Sequence, residues 1–82
     1  MKVEKSIDLG SGHKIEIGSS SWDDSKKSIR NRYPTSTGGF SPRSSSELPV
    51  EDISIITLEA INNDLLSKKE LKEIITTAIT KL

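Results

Sequence analysis

The chain has 82 residues, no cysteine, one histidine and a formal net charge of zero. The absence of cysteine excludes disulfides and thiolate metal sites, and a neutral chain is not typical of a general nucleic-acid binder. No apolar run approaches the roughly 20 residues that a membrane-spanning helix needs. Only 32% of the residues are hydrophobic. A domain this small and polar buries little surface, so self-association is the expected compensation.

The N-terminal segment, residues 2–18, is predicted to be a β-hairpin. Apolar residues alternate with polar ones on its two arms: Val3, Ile7, Leu9, Ile15 and Ile17. Between the arms, Gly10-Ser11-Gly12 is typical of a turn that requires positive φ angles. Lys5 interrupts the apolar face of the first arm. Because a lone hairpin is marginal in water, its apolar face must meet a helix or another subunit.

The middle segment, residues 19–48, is rich in Ser and Gly and shows neither helical nor strand periodicity. It is therefore predicted to be one long loop. A loop of this length inside a small domain is either functional or disordered, and the sequence leaves both readings open. A short helical turn around residues 23–30 is also compatible with the sequence, since Ser21 is a suitable N-cap.

The C-terminal segment is predicted to form two helices, over residues 49–62 and 67–82. Pro49 suits a first helical position, and Asn62-Asn63 suits a helix end. Ser67 and Glu70 match a capping box. The second helix has the clearest period, with one apolar stripe: Leu71, Ile74, Ile75, Ala78, Ile79 and Leu82.

The first helix carries more than one apolar stripe. Ile55 and Leu58 lie away from the main stripe of Val50, Ile53 and Ile61. This second face needs a partner, and a second copy of the chain is the expected one. The alternative is a single wide stripe that the hairpin and the loop residues Phe40 or Leu48 cover. The sequence thus predicts one α+β domain over residues 1–82 that forms a homo-oligomer.

The aromatic residues and the arginines are concentrated in residues 22–43. Guanidinium groups hold phosphate or carboxylate in a bidentate manner, backbone amides of a glycine-rich turn can form an anion-binding nest, and aromatic rings stack on bases. We therefore expect a ligand site there, and no metal site. Its candidate residues are Trp22, Arg30, Arg32, Tyr33, Thr35, Thr37, Gly38, Gly39, Phe40 and Arg43.

Within that window, Arg30-Asn31-Arg32-Tyr33-Pro34 is the most suggestive string. In an extended segment Arg30 and Arg32 project together, and Tyr33 faces the other side. The alternative interpretation is structural: Tyr33 and Phe40 pin the loop onto the core. In that case the arginines pair with an acidic residue, for which Asp23, Asp24 and Glu47 are the candidates.

No catalytic motif is convincing. Residues 35–39 are not followed by Lys-Ser or Lys-Thr, so they are not a Walker loop. The carboxylates Asp23-Asp24 and Glu51-Asp52 are adjacent in sequence, and adjacent side chains on a helix do not face each other. His13 is interpreted as an exposed or half-buried strand residue. The chain is therefore expected not to be an enzyme and to use no cofactor.

The layout resembles that of small phage-encoded proteins that sequester nucleotide immune signals. The resemblance rests on a hairpin, a loop with aromatic residues and arginines, and a helical C-terminus. It implies a homo-oligomer that encloses a phosphorylated, base-containing small molecule, such as a cyclic nucleotide, without hydrolysing it. The N-terminal residues 1–6 lack the apolar stretch of a secretory signal, so the expected location is the cytoplasm.

A second class competes with this reading. The chain can be a protein–protein interaction module, or a small inhibitor of a host enzyme, whose loop orders on its target. Trp22, Tyr33 and the arginines would then be interface anchors. A DNA-binding helix pair is less favoured, because the polar face of the second helix has lysine and threonine but no arginine.

Overall fold

The computed structural model describes residues 1–37, 39 and 45–82. It confirms the α+β class, with a four-stranded antiparallel sheet followed by two C-terminal helices. The elements are β1 (Lys2–Gly10), β2 (His13–Ser19), β3 (Lys27–Arg32), β4 (Ser45–Pro49), a 3-10 turn (Val50–Asp52), α1 (Ile53–Asn62) and α2 (Lys68–Ile79). The chain divides into two compact units, Met1–Asp52 and Ile53–Leu82. These are the sheet unit and the helical unit below, and each is described by itself.

The predicted hairpin is confirmed as β1 and β2. Ser11 and Gly12 form its two-residue turn, with φ angles of 53° and 81°. Two positive φ angles give the type of turn that matches the twist of the flanking strands. Gly10 also has a positive φ of 94°, beside the irregularity in β1 described next.

The strand β1 does not keep the regular alternation that the sequence suggests. Its register against β2 shifts between Val3 and Lys5 and again between Asp8 and Gly10. The shifts place Ile7 opposite Ile15 but Val3 opposite Gly18. Because successive residues of a strand alternate between its faces, Ile15 and Gly18 lie on opposite faces, and so do their partners Ile7 and Val3. At Gly18, an added Cβ would lie 1.9 Å from the carbonyl oxygen of Lys2. The close approach of the two backbones therefore requires glycine there.

The prediction of one uninterrupted loop over residues 19–48 is wrong, because β3 and all but the last residue of β4 lie within it. The helical turn around residues 23–30 is also wrong, since β3 begins at Lys27. Each of these strands contains a single large aliphatic residue, Ile29 and Leu48. Apolar periodicity cannot detect such strands, which are stabilised by pairing, β3 with β2 and β4 with β3, and by polar contacts across these pairs.

The sheet has two faces of different character. Register places Ile7, Ile15, Ile17, Ile29 and Leu48 on one face, and Glu16, Ser28, Arg30, Arg32 and Glu47 on the other. We call these the apolar face and the polar face. Lys5, paired with Ile17, interrupts the apolar face as predicted. The polar face includes the buried residues Glu16 and Ser28.

The two predicted helices are present, with altered bounds. Pro49 ends β4 instead of beginning a helix, and α1 ends at Asn62. The residue in the left-handed conformation is Asp64, with φ of 57°, rather than an asparagine. The capping box of Ser67 and Glu70 is confirmed at the start of α2. That helix ends at Ile79, three residues before the predicted end.

Among the described residues, no apolar side chain is buried. The buried residues with polar side chains are Glu16, Ser20 and Ser28, all in the sheet unit. Within the helical unit, α1 and α2 do not pack against each other along their lengths. In the described part of the chain, no helix is both long enough and apolar enough to cross a membrane.

Candidate functional site

The centre of the polar face is a carboxylate held between two arginines. Arg30 donates from Nε to Oε1 of Glu16 at 2.9 Å, and its Nη2 lies 2.8 Å from the same oxygen. Arg32 donates from Nη1 to Oε2 of Glu16 at 3.2 Å. The alternation of β3 points both guanidinium groups to the face that Glu16 occupies on β2. The two arginines do project together, as the sequence predicts.

The Glu16 side chain is only 5% exposed, and Arg30 and Arg32 are 13% and 29% exposed. Burial by itself disfavours the charged carboxylate. The hydrogen bonds and positive charges of Arg30 and Arg32 outweigh that burial, so the pKa of Glu16 falls below its ordinary value. The cluster is therefore ionised at neutral pH. Two guanidinium groups face this one carboxylate, and it fixes their positions.

Tyr33 is placed by contacts on the other side of the strand. Its ring stacks on His13 with centroids 4.2 Å apart and an interplanar angle of 9°. His13 Nε2 lies 2.5 Å from Oδ1 of Asn31. A Cβ on Gly12 would lie 2.9 Å from Pro34, so the β1–β2 turn packs directly on the residue after Tyr33. These contacts order Tyr33, which stays 47% exposed.

The predicted anion-binding turn closes on itself. The Thr35 amide donates to the Gly39 carbonyl at 3.0 Å, and the Gly39 amide donates to Oγ1 of Thr35 at 2.9 Å. Oγ1 of Thr35 and Oγ1 of Thr37 are 3.1 Å apart. The Gly39 amide, predicted to bind an anion, therefore already donates its hydrogen bond to Thr35 within the turn.

The structure does not bring all the predicted site residues together. Trp22 precedes β3 and Tyr33 directly follows it, so the two residues flank opposite ends of this six-residue strand. Trp22 is 54% exposed. Three further predicted site residues, Gly38, Phe40 and Arg43, lie outside the described residues.

A second polar network lies on the same face and was not predicted. Oγ of Ser28 is fully buried and lies 2.8 Å from both Oε2 of Glu47 and Oγ of Ser20. Ser21 donates to Glu47 from its amide at 2.9 Å and from its hydroxyl at 2.6 Å, and its Oγ accepts a bond from the Met1 amino group. Burial opposes ionisation of Glu47, but these hydrogen bonds outweigh it and lower its pKa.

The helical unit has an open groove along α2. It is lined by Leu66, Glu70, Glu73, Ile74, Thr77 and Ala78. None of the residues predicted to bind ligand takes part in it. Among the described residues there is also no group of three His, Asp or Glu side chains that could hold a metal ion.

The residues that sequence reasoning missed are Glu16 and His13 as partners of the predicted site. Glu16 occupies a polar position of β2, where an exposed side chain is the ordinary expectation. The signal that could have found it is the alternation of Ser28, Arg30 and Arg32, because three polar residues at every second position predict a polar strand face. A carboxylate on the preceding strand is the natural partner of such a face.

Comparison with known proteins gives no relative from which to transfer a function. No protein family matches the chain, and neither a curated protein nor a solved structure matches it.

Proposed function

We propose that this protein is a non-catalytic protein-interaction module that completes its hydrophobic core by association, first of all with a second copy of itself. The observation that carries the proposal is the burial pattern. No apolar side chain among the described residues is buried, whereas Ile55, Leu58 and Ile75 are 60%, 59% and 58% exposed. Water-exposed apolar surface of this kind marks association sites.

The edge strands of the sheet unit are poorly suited to binding a partner by the addition of a further strand. The strands at the edges of the sheet are β1 and β4. Two register shifts interrupt β1, and β4 has five residues and ends in Pro49. Bulges, short length and proline discourage the addition of a further strand at an edge. The partner therefore meets apolar faces, not a sheet edge.

Sedimentation velocity over a wide range of protein concentration tests this proposal. We expect the mean sedimentation coefficient to rise with concentration and the melting temperature to rise with it, because association stabilises the folded state by mass action. A chain that remains monomeric at every concentration, with a constant melting temperature, would refute the proposal.

The second candidate function is the binding of a small phosphorylated, base-containing molecule near Arg30, Arg32 and Tyr33. The observation in its favour is that Glu16 fixes the guanidinium groups of Arg30 and Arg32 together on the polar face, although the half-exposed Tyr33 ring lies on the other side of the strand. Such a pair of forks suits a phosphate group. The internal use of the Gly39 amide weakens this candidate.

Thermal melts with a panel of linear and cyclic nucleotides separate the two candidates. A ligand at a hundred times its Kd adds about 2.7 kcal/mol of stability. If no nucleotide shifts the melt while association persists, only the interaction module survives. A shift that Arg30→Ala abolishes without a change in association would instead establish the ligand site. Arg32→Ala serves as the matched second variant.

A further inference from the structure

The helix α1 is apolar on more than one side. Ile55 and Leu58 lie on one side, and Ile53, Ile56 and Ala60 lie on another. A helix that is apolar all round is normally buried between two layers. Yet Ile55 and Leu58 are both more than half exposed. One side of α1 therefore lacks a partner.

The helix α2 has one uncovered apolar stripe. Leu71, Ile75 and Ile79 follow one another at helical spacing, so they line one side of the helix. Ile75 and Ile79 are 58% and 63% exposed. The stripe is similar in length to the exposed side of α1, and the two helices have 12 and 10 residues.

The connection between the helices is ordered by local hydrogen bonds. The Asp64 amide donates to the Ile61 carbonyl and the Leu65 amide donates to the Ala60 carbonyl, which is a Schellman motif at the end of α1. At the start of α2, Ser67 is extended, with φ of −70° and ψ of 164°, and forms the capping box. A five-residue connection is long enough for a closed helical hairpin. The length of the connection therefore does not prevent the helices from packing on each other, and yet they do not pack along their lengths.

The charges of the two helices are complementary. Glu59 is the single charged residue of α1, and α2 carries three lysines against two glutamates. Consider an antiparallel arrangement in which Leu71 and Ile75 of α2 pack on Leu58 and Ile55 of α1. Glu59 follows Leu58 by one position and Lys72 follows Leu71 by one position, so both charges lie on the same side of the interface. Lys72 then lies beside Glu59. Two copies of α1 facing each other would instead bring Glu59 near its own copy.

From these observations we infer that α2 of one copy packs antiparallel on α1 of a second copy, and reciprocally. The contacts that a closed helical hairpin would make within one chain are then made between two chains, which is domain swapping of α2. The two-fold symmetry forms every contact twice, including the pair of Glu59 and Lys72. This inference rests on the proposed function and names the partner and the surface that it uses.

Charge reversal with trans-complementation tests the arrangement. In Glu59→Lys the exchanged dimer has two lysine–lysine contacts, and in Lys72→Glu it has two glutamate–glutamate contacts. Each variant alone should associate roughly tenfold more weakly than the unaltered chain. An equimolar mixture of the two variants should recover the original affinity, because both contacts of the mixed dimer then join opposite charges. The readout is sedimentation velocity with circular dichroism as the folding check.

The double variant Glu59→Lys/Lys72→Glu is the control for folding and should associate like the unaltered chain. If the double variant recovers association and the mixture does not, the helices close within one chain and the inference is wrong. If neither single variant alters association, the chain associates through another surface, which overturns the inference and leaves the proposed function standing. A monomeric unaltered chain overturns both.

Discussion

The sheet unit and the helical unit differ in how many of their side chains are buried and in which contacts those side chains make. Among the described residues of the sheet unit the buried side chains are polar, and the carboxylates of Glu16 and Glu47 accept several hydrogen bonds. In the helical unit no residue of either helix is buried, and large aliphatic side chains face solvent. The sheet unit therefore has internal contacts that hold its shape. The helical unit has local cap contacts at the end of α1 and the start of α2, and no buried residue in either helix.

This contrast teaches that local order and burial are separate properties. The ends of the helices are closed by local contacts, a Schellman motif at the end of α1 and a capping box at the start of α2. The strands β3 and β4 form although their composition does not favour strand, because their polar side chains find partners across the sheet. The strongest tests of the contrast are changes that remove a partner in one unit while the other unit is unaffected.

The largest expected effect is in the sheet unit. Glu16→Ala leaves two partly buried guanidinium groups without their shared carboxylate, and we expect the free energy of unfolding to fall by about 3–5 kcal/mol. Urea unfolding measures the change. Glu51→Ala, at an exposed position, is the control and should stay within about 0.5 kcal/mol. A loss for Glu16→Ala no larger than that of the control would contradict the view that this cluster organises the sheet.

The next effect concerns the close approach of β1 and β2. Gly18→Ala places a Cβ 1.9 Å from the Lys2 carbonyl oxygen, and the strands must separate there. We expect a loss of about 3 kcal/mol, again by urea unfolding. Gly39→Ala is the matched control, since its Cβ would lie at an ordinary 3.5 Å from Thr35. Equal losses for the two variants would show that the bulge does not require glycine.

Acid should affect the sheet unit through Glu16 and Glu47. The folded structure lowers the pKa of both carboxyl groups, so their stabilisation is complete above the ordinary glutamate pKa of about 4.3 and is lost as the pH falls through the lower folded values. We expect the melting temperature to fall steeply below that pH. The loss should be shallower in Glu47→Gln. If the melting temperature of that variant depends on acid pH as it does in the unaltered chain, Glu47 does not contribute to the loss of stability in acid.

The smallest effect is expected at the start of α2. Ser67→Ala removes the acceptor for the Glu70 amide, a 3.1 Å hydrogen bond, and should cost about 1 kcal/mol of helix stability. Far-ultraviolet circular dichroism on heating follows the loss of helix. Ser54→Ala, inside α1, is the control and should change the melt little. A large loss that depends on protein concentration would instead show that the cap supports association.

The sequence by itself determined the hairpin, both helices and the capping box, because each has a local cause. Positive φ in the turn calls for glycine, the helical stripes have a clear period, and Ser67 and Glu70 bond to each other's backbone over three residues. Sequence reasoning also recognised that Arg30 and Arg32 project together. These features need no knowledge of distant parts of the chain.

Only the tertiary structure decided the rest. It assigned Glu16 to the two arginines and His13 to Tyr33, and these pairs are 14, 16 and 20 positions apart in the chain. It also turned much of the predicted loop into β3 and β4 and separated Trp22 from Tyr33 along the strand axis. The physical reason is that these strands are stabilised by pairing and by polar contacts across the sheet, which carry no apolar period for the sequence to display.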